Sequence, residues 1–199
     1  MSKLKKLLPK RDLRARWLWV LALALTAVKL GLCSFQLIVA SPDLSPIDDT
    51  LMFNLAKSIS AVSCLVLLAA LKPVMRTNWG RLFVFAVTLY TPASWAENTL
   101  RVYRDNIYPS LVLLALAGLL GAFTRFREKP LRALPYYVAA GLSLAAAWLC
   151  HEDNALLLPF VLCAAAVYLA YLFLDKSIAH KKSRLALLLV PFCLLYTSP

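Results

Sequence analysis

Residues 17–40 read WLWVLALALTAVKLGLCSFQLIVA, with Lys29 as the one charge in the run. A helix rises ~1.5 Å per residue, so about 20 residues cross a ~30 Å hydrocarbon core. This run is long enough to cross. A basic segment precedes it, as in a secretory signal, but cleaved signals have apolar cores of roughly 7–15 residues. The run therefore reads as an anchor helix. Further apolar runs follow at 51–71, 82–100, 107–124, 131–150 and 155–174, and a last one begins at 185 and is still apolar at Pro199. The expected fold class is all-α, a polytopic transmembrane helix bundle of about six spans plus a truncated seventh. A run that stops in mid-span predicts an incomplete chain.

Composition agrees. Of 199 residues, 61% are hydrophobic, and the mean hydropathy is +0.71; a soluble domain has ~45–50% apolar residues. There is no internal repeat or soluble domain, so residues 1–199 read as a single transmembrane domain. It comprises a basic tail (1–16), the first span (17–40), an outer loop with an amphipathic helix (41–59), and the remaining spans (60–199). Cys33, Cys64, Cys150, Cys163 and Cys193 are scattered, without metal-ligand spacing, and read as small buried hydrophobes.

The net charge of +12 would suit nucleic acid in a soluble protein, but here the bases sit in short segments between apolar runs and no basic–aromatic patch lies outside them. No nucleic-acid partner is expected. Segments 1–16, 72–81, 125–132 and 175–184 carry eighteen Lys/Arg and three acids. The alternating segments (41–50, 101–106 with its flank, and 151–154) carry seven acids and two bases. Cytoplasmic loops are rich in Lys and Arg. The asymmetry predicts an integral, multi-pass inner-membrane protein with a cytoplasmic N-terminus and acid-rich connectors outside. Aromatics near the run ends fit interfacial belts: Trp17, Trp19, Tyr136, Tyr137, Tyr168 and Tyr171 inside, Tyr90, Trp95, Tyr103, Tyr108 and Trp148 outside. Pro109 is expected in the first turn of its helix, with Asn106 as a cap, and Pro159 near the start of its own.

The second run is awkward. In SPIDDTLMFNLAKSI (45–59), Ile47, Leu51, Leu55 and Ile59 recur every four residues and form one face of a helix. If 48–59 lay on the membrane surface, too little would remain to cross. If the helix entered at Leu51, Lys57 would snorkel outward. Either one helix does both jobs or sequence is missing here.

The outer connectors hold the candidate chemistry. Asp48 and Asp49 open the amphipathic stretch; they either cap a helix start, where negative charge is favourable, or serve as a carboxylate base. Arg101 and Arg104, three apart, are the bases of the outer set. Their planar donor forks suit a phosphate, and Glu97 and Asp105 are within helical reach as alternative partners. His151, Glu152 and Asp153 form a polar knot between two runs, either a solvated turn or part of a substrate site. A divalent metal is possible there, but one His without spaced partners does not define a site, and no cofactor is required. Clustered on one face, these groups suit transfer from a phosphorylated lipid: a carboxylate takes the acceptor's proton, guanidiniums stabilise the leaving phosphate, and the tail lies between helices.

Three stretches give the chain a family likeness: PIDDTLMFNLAKSI (46–59), RVYRDNIYPSLVLLALAGLLGAF (101–123) and AAAWLCHEDNALLLPFVL (145–162). The chain resembles membrane glycosyltransferases of the GT-C superfamily, in particular a bacterial group of integral membrane proteins. The resemblance implies inverting transfer of a sugar from a polyprenyl-phosphate donor at the outer face. It implies Asp48 as catalytic base with Asp49 beside it, and Arg101, Arg104, His151, Glu152 and Asp153 around the substrate. The implied partners are a lipid-linked sugar donor and membrane lipid. Two departures stand out: His151 occupies the family's Arg position, and an outer segment with a Lys and a Gly-Pro is missing after LAKSIS. The rival readings are a transporter or flippase binding an anionic lipid or sugar headgroup, and a membrane subunit without chemistry. The donor sugar, acceptor and oligomeric state are not encoded in any motif.

Overall fold

A computed structural model of the chain describes residues 13–40, 48–91, 103–125, 130–150, 157–174 and 181–196. The described residues form seven helices and no strands: α1 (Leu13–Ala40), α2 (Asp48–Ala70), α3 (Asn78–Leu89), α4 (Tyr103–Thr124), α5 (Pro130–Cys150), α6 (Leu157–Leu174) and α7 (Lys181–Tyr196). Each corresponds to one apolar run in the sequence.

Among the described residues, fewer helices reach spanning length than the runs suggest. Three helices are long and apolar enough to cross a membrane, through Arg16–Phe35, Ile107–Thr124 and Leu131–Cys150. Asn54–Ala70 in α2 and Pro159–Leu174 in α6 are shorter apolar stretches among the described residues. Helix α7 spends its first turn on Lys181, Lys182 and Arg184. Helix α3 has 12 residues, about 18 Å of rise. The expected third span, 82–100, is thus corrected: the helix starts earlier, at Asn78, and stops at Leu89, and residues 92–100 lie outside the described residues. Pro92 explains the stop, since it has no N–H to donate and disfavours helical backbone in the residue before it.

Side-chain contacts fix the directions of α1 to α6. Trp17 meets Trp79 at 5.1 Å between ring centroids, and the Tyr90 hydroxyl donates to the Leu25 carbonyl at 2.8 Å, so α1 and α3 run parallel. Helix α2 runs against both: Leu18 and Ala22 share a core with Cys64 and Leu68, and Arg81 reaches the Leu68 carbonyl at 3.0 Å. Helices α2 and α4 are parallel, joined by Ser63 Oγ to the Ser110 carbonyl at 2.8 Å and by Arg125 Nη2 to the Ala69 carbonyl at 2.9 Å. Helices α4 and α5 form an antiparallel pair, and α6 returns along α5 with Tyr137 edge-on to Tyr168 at 6.1 Å.

Two cores result. One joins α1, α2 and α3 through Leu18, Ala22, Cys64, Leu68, Leu82, Phe85 and Leu89. The other joins α4–α7 through Ala122, Ala133, Tyr137, Tyr168, Leu172 and Leu188. Tyr137 and Tyr168 are therefore buried core residues. Tyr90 is tied to the α1 backbone. The four cysteines whose side chains are described are free thiols. Pro109 lies inside α4, not in its first turn, because the helix begins at Tyr103.

The α4–α5 contact depends on small residues, as in many membrane bundles where apolar attraction between helices is weak. A Cβ on Gly118 would lie 2.8 Å from both the Ala140 nitrogen and the Tyr136 carbonyl oxygen, and one on Gly121 would lie 2.1 Å from the Tyr136 ring. The backbone contacts at Gly118 cannot yield by a side-chain rotation. Gly118→Val is expected to destabilise the pair by ~1–3 kcal/mol, the range for overpacking, read as a lower midpoint of thermal unfolding in detergent. Lys29→Met removes the donor to the Leu89 carbonyl, and the same assay should show a loss of ~1–3 kcal/mol. Lys29→Arg, which keeps a donor, should lose less.

Candidate functional site

The alternating directions gather one set of helix ends. The starts of α2, α4 and α6 and the ends of α1, α3 and α5 share one end of the bundle, and these termini flank the acid-rich connectors. Of the candidate residues, Asp48 and Asp49 open α2 and Arg104 is the second residue of α4. For these three the backbone alone is described. Arg101, His151, Glu152 and Asp153 lie outside the described residues.

Backbone register adds detail. Asp49 precedes Ser63 by 14 residues, close to four helical turns. Its Cα therefore lies on the side of α2 that carries Ser63, which faces α4. Arg104 precedes Gly118 by the same 14 residues, so its Cα lies on the side of α4 that packs on α5. Measured from the Ser63–Ser110 contact, Asp49 lies 14 residues up α2 and Arg104 six residues up α4, so the start of α2 reaches about 12 Å past that of α4, while the start of α4 fronts the helix that ends at Cys150. Helix α2 is continuous from Asp48 to Ala70, so the amphipathic stretch and the apolar run after it belong to one helix.

Below this end lies a feature the sequence reading placed wrongly. Lys57 does not snorkel outward; it is 5% exposed. It sits nine residues along α2 from Asp48, about 13 Å deeper. Lys29 is 1% exposed and donates to the Leu89 carbonyl at the end of α3. The two ammonium groups are close enough to repel. The signal for Lys29 was available as a charge in mid-run. That for Lys57 was hidden, because a Lys near a helix start reads equally well as solvated.

An apolar cavity of about 460 Å³ lies among α4, α5, α6 and α7. Val112, Leu144 and Phe160 line it toward the acid-flanked end, and Phe123, Tyr137 and Tyr168 line it toward the other. The lining residues Leu116, Phe160 and Val167 are exposed, so it opens on the outside of the bundle. Such a volume, lined by carbon, suits a hydrocarbon chain. Among the described residues no group of three His, Cys, Asp or Glu side chains could hold a metal ion.

The chain matches no family model, no curated protein and no solved structure.

Proposed function

We propose that the protein is a membrane glycosyltransferase of GT-C type. It moves a sugar from a polyprenyl-phosphate donor to an acceptor at the acid-flanked end of the bundle, with that end facing out of the cell and the N-terminus in the cytoplasm of an inner-membrane protein. The observation that carries this reading is the parallel packing of α2 on α4, which brings the starts of both helices to one end. Asp48 and Asp49 open one helix and Arg104 opens the other. In this reading Asp48 accepts the proton of the acceptor hydroxyl, and Asp49 holds negative charge beside it. Arg101 and Arg104 take the donor phosphate and stabilise the charge it gains as the glycosidic bond breaks. The segment of His151, Glu152 and Asp153 closes the substrate site, and the polyprenyl tail lies in the apolar cavity. His151 near neutral pH is mostly uncharged, so phosphate binding falls to the arginines.

A second reading draws on a different observation. Lys29 and Lys57 are buried, and α3 ends inside the bundle. Buried charges beside a helix end are common at transporter substrate sites. On that reading the same end admits an anionic headgroup, which is then moved rather than reacted.

Membranes containing the chain, given a polyprenyl-phosphate-linked sugar with a labelled sugar group, separate the two. Asp48→Asn should lower sugar transfer by about 10²–10⁴-fold, the usual contribution of a positioned base, at unchanged membrane expression. Wild-type turnover in that variant removes the base assignment. Headgroup uptake into sealed vesicles without any glycosylated product selects the transporter.

A further inference from the structure

The opposite end of the bundle holds a cluster of cations that the sugar-transfer reading does not use. Arg81 was expected in an open loop. It lies instead in the first turn of α3 and is 4% exposed. Its Nη2 donates to the Leu68 carbonyl at 3.0 Å and its Nη1 to Asn78 Oδ1 at 3.3 Å. Its Nε is buried with no hydrogen-bond partner. Arg125, at the end of α4, donates through Nη1 to the Gly121 carbonyl at 3.2 Å and through Nη2 to the Ala69 carbonyl at 2.9 Å. Its guanidinium carbon stands 4.2 Å from the Tyr136 ring centroid. The oxygens on both arginines are neutral, and the two guanidiniums lie close enough for their charges to oppose each other.

The Ala69 carbonyl ties this pair to the turn between α2 and α3, because it also accepts from the Lys72 backbone N–H at 3.3 Å. That turn carries Lys72 and Arg76, both exposed. Four cations therefore gather around one turn. A guanidinium offers five N–H donors, and Arg125, half-buried at the surface, uses two of them on the carbonyls.

What lies beside the cluster selects the anion. Trp79, Phe83 and Val87 follow at four-residue spacing along α3 and are 70%, 70% and 54% exposed. They form an apolar ridge that begins two residues from Arg81. Trp79 packs on Trp17, an indole pair suited to the headgroup level of a bilayer. A free anion gains nothing from such a ridge. A lipid gains from both parts.

We propose that the α2–α3 turn, with Arg81 and Arg125 beneath it, holds the phosphate of an anionic phospholipid whose acyl chains lie along the Trp79–Phe83–Val87 ridge. Phosphodiester oxygens take the free donors of Arg125 together with Lys72 and Arg76, and buried Arg81 adds field from behind. The site is independent of the sugar-transfer reading, and its test measures no turnover.

The test is native mass spectrometry of the full chain in mild detergent, with phosphatidylglycerol and phosphatidylcholine at equal concentration. The wild type should retain phosphatidylglycerol preferentially. Replacing the exposed turn residues together, Lys72→Gln with Arg76→Gln, should cut that retention roughly tenfold and leave phosphatidylcholine unchanged. Arg125→Gln should do the same where it folds. Lys181→Gln with Lys182→Gln removes equal charge elsewhere and should leave retention intact. Equal retention of both lipids overturns the proposal, as does equal loss in the Lys181 and Lys182 variant. Competition by millimolar glycerol phosphate as effective as by the lipid would make the site one for free anions, and the lipid assignment would fail.

Discussion

Helix ends inside an apolar bundle must find hydrogen-bond donors, and in this protein long cationic side chains supply them. The last carbonyls of a helix have no partner within it and carry partial negative charge. In water they are solvated; among apolar helices each bare carbonyl is costly. Helix α2 ends on two guanidiniums, with Arg81 on the Leu68 carbonyl and Arg125 on the Ala69 carbonyl. Helix α3 ends with Lys29 on the Leu89 carbonyl. A full positive charge gains more from such a carbonyl than a neutral donor does, which offsets part of the cost of burying it.

These contacts also set the architecture. Arg125 reaches from the end of α4 to the end of α2, and Arg81 from the start of α3 to the same place, so three helices are pinned at one level. Lys29 and Tyr90 then tie α1 to α3. The parallel course of α2 and α4 follows, and with it the placing of their starts, which carry Asp48, Asp49 and Arg104, at the same far end of the bundle. The proposed chemistry at one end and the proposed lipid at the other thus hang on the same pins. The α4–α7 part is held differently, by the glycines that let α4 approach α5 and by the Tyr137–Tyr168 contact. The apolar cavity sits within that looser half.

Much of this was legible in the residues. The seven apolar runs gave seven helices, all within about four residues of the runs except the third, where 82–100 became Asn78–Leu89, because a run with helical length and no breaker has little choice in lipid. The charge alternation foreshadowed which helix ends lie together, since each connector reverses the chain. Pro92 marked where α3 stops, although the apolar residues on both sides of it read as one span. Of the seven candidate site residues, Asp48, Asp49 and Arg104 fall at helix starts at one end of the bundle, and Arg101, His151, Glu152 and Asp153 lie outside the described residues.

The sequence by itself determined an all-helical chain, the approximate position of each helix and the segregation of acids from bases, because hydrophobic length and charge are properties of local segments. The tertiary structure alone decided which cations stay at the surface and which go inside. Lys57 and Arg81 look like solvated charges from their neighbours in sequence; Lys57 is enclosed where α1 and α2 pack together, and Arg81 is drawn inward by a carbonyl at the end of another helix. Whether a cation is buried depends on the partner that packing brings to it, and that partner lies as much as sixty residues away, as Leu89 does from Lys29.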